Sequence, residues 1–177
     1  RSIWPDLSAS ILHTLTETML GFVLGGLLGV IIGVLFESMS WFKRSIFPIF
    51  VALQTVPVIA FGAVIIIWFG NTITSKVVIA LYLTLFPVAV STLRGLESVE
   101  PQRIQLLRSF GATPMQMLWK LKLPAAMPAI MVALQVGIAV SLTGAIFGEC
   151  FGDTKVLCVL FIKALYYEKM DSDWLII

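Results

Sequence analysis

Residues 18–36 read TMLGFVLGGLLGVIIGVLF, 19 positions without a charge. A helix that crosses the roughly 30 Å hydrocarbon core of a bilayer needs about 20 mostly apolar residues, so this stretch is a membrane span. Within it Gly21, Gly25, Gly29 and Gly33 recur every four residues. Four residues carry a 3.6-residue helix slightly past one turn, so the glycines drift slowly along one face. A glycine face lets a second helix come close, and such packing matters where lipid removes the hydrophobic drive between helices. Two roles fit that face: helix packing inside a bundle, or a moving, substrate-lining surface.

Three further uncharged runs follow: Ser45 to Ser75 with 31 residues, Val77 to Leu93 with 17, and Leu123 to Gly148 with 26. Backbone amides in lipid must be paired within their own segment, which selects helices. Strict polar/apolar alternation is absent, which excludes an outer-membrane barrel. The expectation is an all-α, polytopic transmembrane helical bundle, one domain over 1–177, with four spans. They run from about Ile11 to Phe36, Phe47 to Phe69, Val77 to Leu93 and Ala126 to Gly148. Composition agrees: the 177 residues are 59% hydrophobic and 12% charged, with a mean hydropathy of +1.00, against roughly 25% charged in a soluble domain. The chain opens on Arg1 and closes on the apolar Trp174-Leu175-Ile176-Ile177, so further spans are expected beyond both ends.

Charge placement orients the spans. The link after the first span holds Lys43, Arg44 and Glu37. The link after the third holds Arg94, Arg103, Arg108, Lys120 and Lys122 against Glu97 and Glu100. Basic loops stay in the cytoplasm, so loop 94–123 is cytoplasmic and the acidic segment 149–173 is external. Trp4, Trp41, Trp68, Trp119 and Trp174 fall at span ends, as an interfacial aromatic belt requires. A net charge of only +2 excludes a nucleic-acid partner.

Few residues carry chemistry. Pro57, Pro87 and Pro128 should kink or break their helices. Gln54-Thr55-Val56-Pro57 sets a polar pair before a proline in mid-membrane: the side chains either repair the freed backbone groups or line a translocation path through an opened helix. Gln135, with Ser141 and Thr143, poses the same alternative more weakly. Glu149, at the end of the fourth span, either faces that path or pairs with a base. His13 shows no second ligand or carboxylate partner and reads as an interfacial or packed side chain. Cys150 and Cys158 read as small apolar residues, although an external position permits a disulfide. No catalytic constellation and no metal site is expected. The spans are nearly free of buried charge, which speaks against an ATP-independent channel or secondary transporter, the alternative reading.

The cytoplasmic loop is the most informative stretch. Pro101 suits a first helical turn after the acidic Glu100, Ile104, Leu107 and Phe110 recur at helical spacing, and Gly111 is a natural stop. A second short helix should start near Pro114 and end at Pro124. Amphipathic helices here serve as membrane-surface decoration or as a docking element.

This loop resembles that of ABC-importer permeases, whose pattern runs Glu-Ala-Ala, three residues, Gly, nine residues, Ile, one residue, Leu-Pro. Gly111, Leu123 and Pro124 stand at the matching places, Leu121 replaces Ile, and Gln105-Leu106-Leu107 replaces Glu-Ala-Ala. Thr55-Val56-Pro57, Trp68-Phe69-Gly70, Phe86-Pro87, Arg108-Ser109-Phe110-Gly111-Ala112 and Leu123-Pro124-Ala125-Ala126 look like the nitrate, sulfonate and taurine branch, which includes bicarbonate and thiamine-precursor importers. The resemblance implies a type I importer permease of the bacterial inner membrane, usually of six spans. It implies a second permease copy, cytoplasmic ATPase subunits, an external substrate-binding protein and the lipid around them as partners. ATP and Mg would then be bound by the ATPase and not by this chain, which lacks a phosphate-cradling G-x-x-x-x-G-K-[ST] loop. Pro101, Ile104, Gln105, Leu107, Arg108, Phe110, Gly111, Ala112, Leu123 and Pro124 are the coupling positions it implies.

Overall fold

The computed structural model describes the backbone of residues 4–150 and the side chains of residues 11–150. Helix α1 (Trp4–Ser38) is followed by α2 (Ser40–Leu53), α3 (Val58–Phe69) and α4 (Ile73–Glu97). The short α5 (Pro101–Ser109) and α6 (Pro114–Met117) lead through a π-helical turn (Leu118–Lys122) into α7 (Leu123–Cys150).

Helix α4 is the spine. It lies between α1 and α7, and its small side chains meet glycines on both sides. A Cβ added at Gly25 would lie 2.8 Å from the Leu81 carbonyl oxygen, at Gly29 2.9 Å from that of Leu85, and at Gly33 2.8 Å from that of Ala89. The glycine face of α1 therefore lies directly on the α4 backbone. From the other side Gly144 would meet the Ala80 Cα at 2.8 Å, and Gly137 and Gly148 sit against Thr84 and Lys76. These α7 glycines are spread among bulky apolar residues, so the sequence does not display them as a repeat.

Among the described residues, three helices are long and apolar enough to cross a membrane: 11–38, 73–97 and the continuous 114–150. The second expected span differs from expectation. It is two helices bent by 92° at residues 54–57, a fourth span only if the pair is counted as one. Pro57 explains the break: it has no N–H for the Leu53 carbonyl and pushes Val56 out of helical geometry. The freed carbonyls are satisfied locally. The Tyr82 hydroxyl donates to Leu53 O at 2.6 Å and Thr55 Oγ1 to Ala52 O at 2.7 Å. Pro87 and Pro128 stay inside α4 and α7. Below the bend, Phe36, Phe50, Phe86 and Leu93 pack α2 against α1 and α4, with ring centroids 5.4 Å apart for Phe36–Phe50 and 4.6 Å for Phe50–Phe86.

The second correction lies at Pro124, expected to end the short helix. The chain instead runs on into α7. Pro124 would clash with the carbonyl one turn back in a regular helix, and the wider π turn relieves it, with the Leu123 N–H bonding to Leu118 O.

Candidate functional site

Two regions gather polar chemistry, one at each end of the bundle. At the cytoplasmic end α5 forms as expected, with Pro101 in its first turn. It closes in a Schellman arrangement: Gly111 N–H donates to Arg108 O at 2.9 Å and Ala112 N–H to Leu107 O at 3.1 Å. Gly111 takes φ +75°, a left-handed value that glycine adopts without strain. Thr113 then opens α6 with a capping box, its Oγ1 accepting from the Gln116 N–H while Gln116 Oε1 accepts from the Thr113 N–H.

The side chains of α5 divide differently from the sequence expectation. Ile104 and Leu107 are half-buried, Ile104 in a groove shared with Arg108, Met115 and Leu118. Leu106 is 57% and Phe110 80% exposed, with Met115 and Trp119 also open. Pro101, Gln105, Arg108 and Gly111 are exposed and Ala112 half-buried, while Leu123 and Pro124 stand at the start of α7. Leu106, Met115 and Trp119 are not among the coupling positions expected from the sequence; a count of apolar residues on both faces of these helices would have added them. Two ion pairs tie the spans together just above the loop, Lys43 with Glu97 and Lys122 with Glu37.

At the outer end the first turns of α1, the start of α4 and the end of α7 enclose a polar cluster. Glu17, Lys76 and Glu149 are fully or almost fully buried. Lys76 Nζ lies 3.4 Å and His13 Nδ1 3.1 Å from Glu17 Oε1. Thr14 donates to Glu149, and Ser141 Oγ donates to Thr18 O at 2.8 Å. The reading of His13 as lacking a carboxylate partner is thus corrected, and the i, i+4 spacing of His13 and Glu17 was the available signal. Ligand atoms of His13, Glu17 and Glu149 lie within 4.8 Å of one another, close enough to hold a cation. The Lys76 ammonium already brings a positive charge to Glu17, so the arrangement works as a buried polar clasp between three helices.

Of the expected path residues, Gln54, Thr55, Pro57 and Gln135 are exposed, whereas Glu149 is packed against α1. Cys150 is held in a disulfide, which corrects its reading as a small apolar residue. Cys158, Trp174 and segment 151–173 lie outside the described residues.

The family described as the binding-protein-dependent transport system inner membrane component matches residues 25–176. The chain belongs to this family. It is an inner membrane component of the kind found in such transport systems. The matched residues of this inner membrane component include the whole cytoplasmic loop, Lys76 and Glu149, while His13, Thr14 and Glu17 precede them. The formylaminopyrimidine transport permease protein ThiX of Halalkalibacterium halodurans is 34% identical over 127 residues, 69% of this chain and 51% of that protein. The riboflavin transport system permease protein RibX of Chloroflexus aurantiacus is 36% identical over 129 residues, 70% and 48% of the two chains. The taurine transport system permease protein TauC of Escherichia coli is 42% identical over 81 residues, 45% and 29%. The chain spans about half the length of the first two of these relatives.

Proposed function

We propose that this chain forms the translocation path of an ATP-driven importer for a small solute, as one of two permease copies, with a separate cytoplasmic ATPase gripping α5 and an external protein delivering the solute. The observation that carries the reading is the form of the loop. A short helix, fixed at one end by Gly111 and followed by a capping box, offers the exposed Leu106 and Phe110 to a partner. Burying such side chains is worth about 1.5–3 kcal/mol each, enough to anchor a docking helix. From Pro114 to Cys150 the helix is continuous, so motion at α5 can reach the outer end without crossing another loop.

Work done on the loop transports a solute only if the ATPase binds one permease conformation better than another. Gln54 and Thr55 at the α2–α3 bend and Gln135 on α7 are exposed polar side chains. Thr55 already donates to the Ala52 carbonyl, whereas amide groups at membrane depth are costly to leave in lipid, so Gln54 and Gln135 face the path or the second copy. The named substrates of the relatives, a formylaminopyrimidine, riboflavin and taurine, support a small polar solute of the nitrate/sulfonate/taurine/bicarbonate or vitamin-precursor class.

The test is the composition of the full-length complex purified in mild detergent. Two permease copies with two ATPase subunits are expected, and Phe110→Asp should release the ATPase while leaving the permease folded. A permease that comes out alone under conditions that preserve other such complexes would overturn the reading.

A further inference from the structure

A groove of about 510 Å³ opens between the inner end of α1 and the first turns of α2. Phe36 and Phe47 form its apolar side; Ser40, Lys43, Arg44 and Glu37 form its polar side. That volume falls in the range of about 300–1,000 Å³ that accommodates a ligand of moderate size. We propose that it holds the headgroup of an anionic phospholipid from the cytoplasmic leaflet.

Charge decides the occupant. Glu37 is answered by Lys122 and Lys43 by Glu97, so these four charges are matched in pairs. Arg44 is exposed and makes no ion pair among the described residues. Its planar guanidinium can take two phosphate oxygens at once, and Lys43 stands one residue away on the same rim. A zwitterionic lipid would bring its own cation to this basic rim, whereas a phosphoglycerol headgroup would not. Depth agrees with charge. The groove lies at the end of the bundle that carries the basic links, and Trp41 beside it is 72% exposed, where an indole sits at headgroup level. Basic recesses between spans on the cytoplasmic side suit acidic headgroups. Farther along α2, Ile49 and Leu53 are exposed and offer an apolar track for the acyl chains.

The test uses the full-length complex in detergent, supplied with phosphatidylglycerol or phosphatidylcholine, with retained lipid counted by native mass spectrometry. Phosphatidylglycerol should be retained severalfold more than phosphatidylcholine. Arg44→Gln should cut that preference severalfold, whereas Arg103→Gln, on the exposed helix α5, should leave it unchanged. The part of the tryptophan fluorescence that is lost on Trp41→Phe, quenched more strongly by brominated phosphatidylglycerol than by brominated phosphatidylcholine, gives a second readout. Equal retention of the two lipids, an equal loss from Arg103→Gln, or displacement by excess inorganic phosphate would each overturn the proposal.

Discussion

The two ends of the bundle use the same ionic chemistry in opposite surroundings. At the outer end Glu17 and Lys76 are fully or almost fully removed from solvent. At the cytoplasmic end the Lys43 and Glu97 side chains are 36% and 40% exposed. A buried pair must recover the cost of leaving water through its mutual attraction, so either partner alone is a liability. An exposed pair gives up little water and gains little. The outer clasp therefore makes the mutual arrangement of α1, α4 and α7 all-or-none, while the Lys43–Glu97 pair can separate at little cost. That asymmetry suits a bundle pushed from the cytoplasmic side.

The sharpest way to break this contrast is to remove one member of the outer pair. Lys76→Met should destabilise the protein by about 3–5 kcal/mol, the usual consequence of leaving a buried charge uncompensated. Adding Glu17→Gln to it should recover a large part of that loss. Thermal unfolding of the purified complex in one detergent measures both. A double variant as unstable as the sum of the singles would show that the two charges act independently.

The glycine contact between α1 and α4 extends from one end to the other, so it should respond alike at both. Gly25→Val presses against the Leu81 carbonyl and Gly33→Val against that of Ala89. Each should cost about 1–3 kcal/mol through overpacking. Gly26→Ala meets only the tip of Leu134, at 3.1 Å, a flexible side chain that can yield, and should be close to neutral in the same melting assay.

Much of this was legible in the sequence, for identifiable reasons. Charge-free runs locate the spans, and the four-residue glycine repeat marks a face because its period is close to the helical one. Pro101 and Pro114 mark helix starts, and Gly111 a helix stop. The outer clasp was not legible, because Glu17, Lys76 and Glu149 are far apart in sequence and each sits just outside an uncharged run, where it reads as an interfacial charge. Pro57 announced a break but not its angle, which depends on Tyr82 taking the Leu53 carbonyl and on the packing of Phe50 and Phe86. Pro124 announced a stop that the π turn cancels, because five residues of widened helix leave no outward mark in composition. The open side of α5 was legible only in part: Phe110 is exposed as its spacing allows, while Ile104 and Leu107 are half-buried and Leu106 is open, since apolar residues on both sides make spacing alone indifferent to which side is open.

A smaller and more local effect is expected at the hinge. Gly111 has open space around a would-be Cβ, so Gly111→Ala meets only the strain of its left-handed backbone, about 1–2 kcal/mol. The loss should be confined to the end of α5: amide exchange over residues 101–112 should speed up roughly tenfold for each 1.4 kcal/mol, while the melting temperature of the bundle stays put. A drop in global stability would mean that the cytoplasmic end is as tightly coupled to the core as the outer clasp.

The smallest effect is expected at the exposed pair. Lys43→Gln should change stability by about 0–1 kcal/mol, the range found for ion pairs in contact with water. Raising the salt from 0.05 to 0.5 M should shrink even that difference, because a Debye length below about 10 Å screens charges that solvent can reach. The same salt change should leave the penalty of Lys76→Met intact, since buried charges are screened much less than exposed ones. Salt dependence thus separates the two ends without any knowledge of the transported solute: if both substitutions responded equally, the outer cluster would have to be open to water.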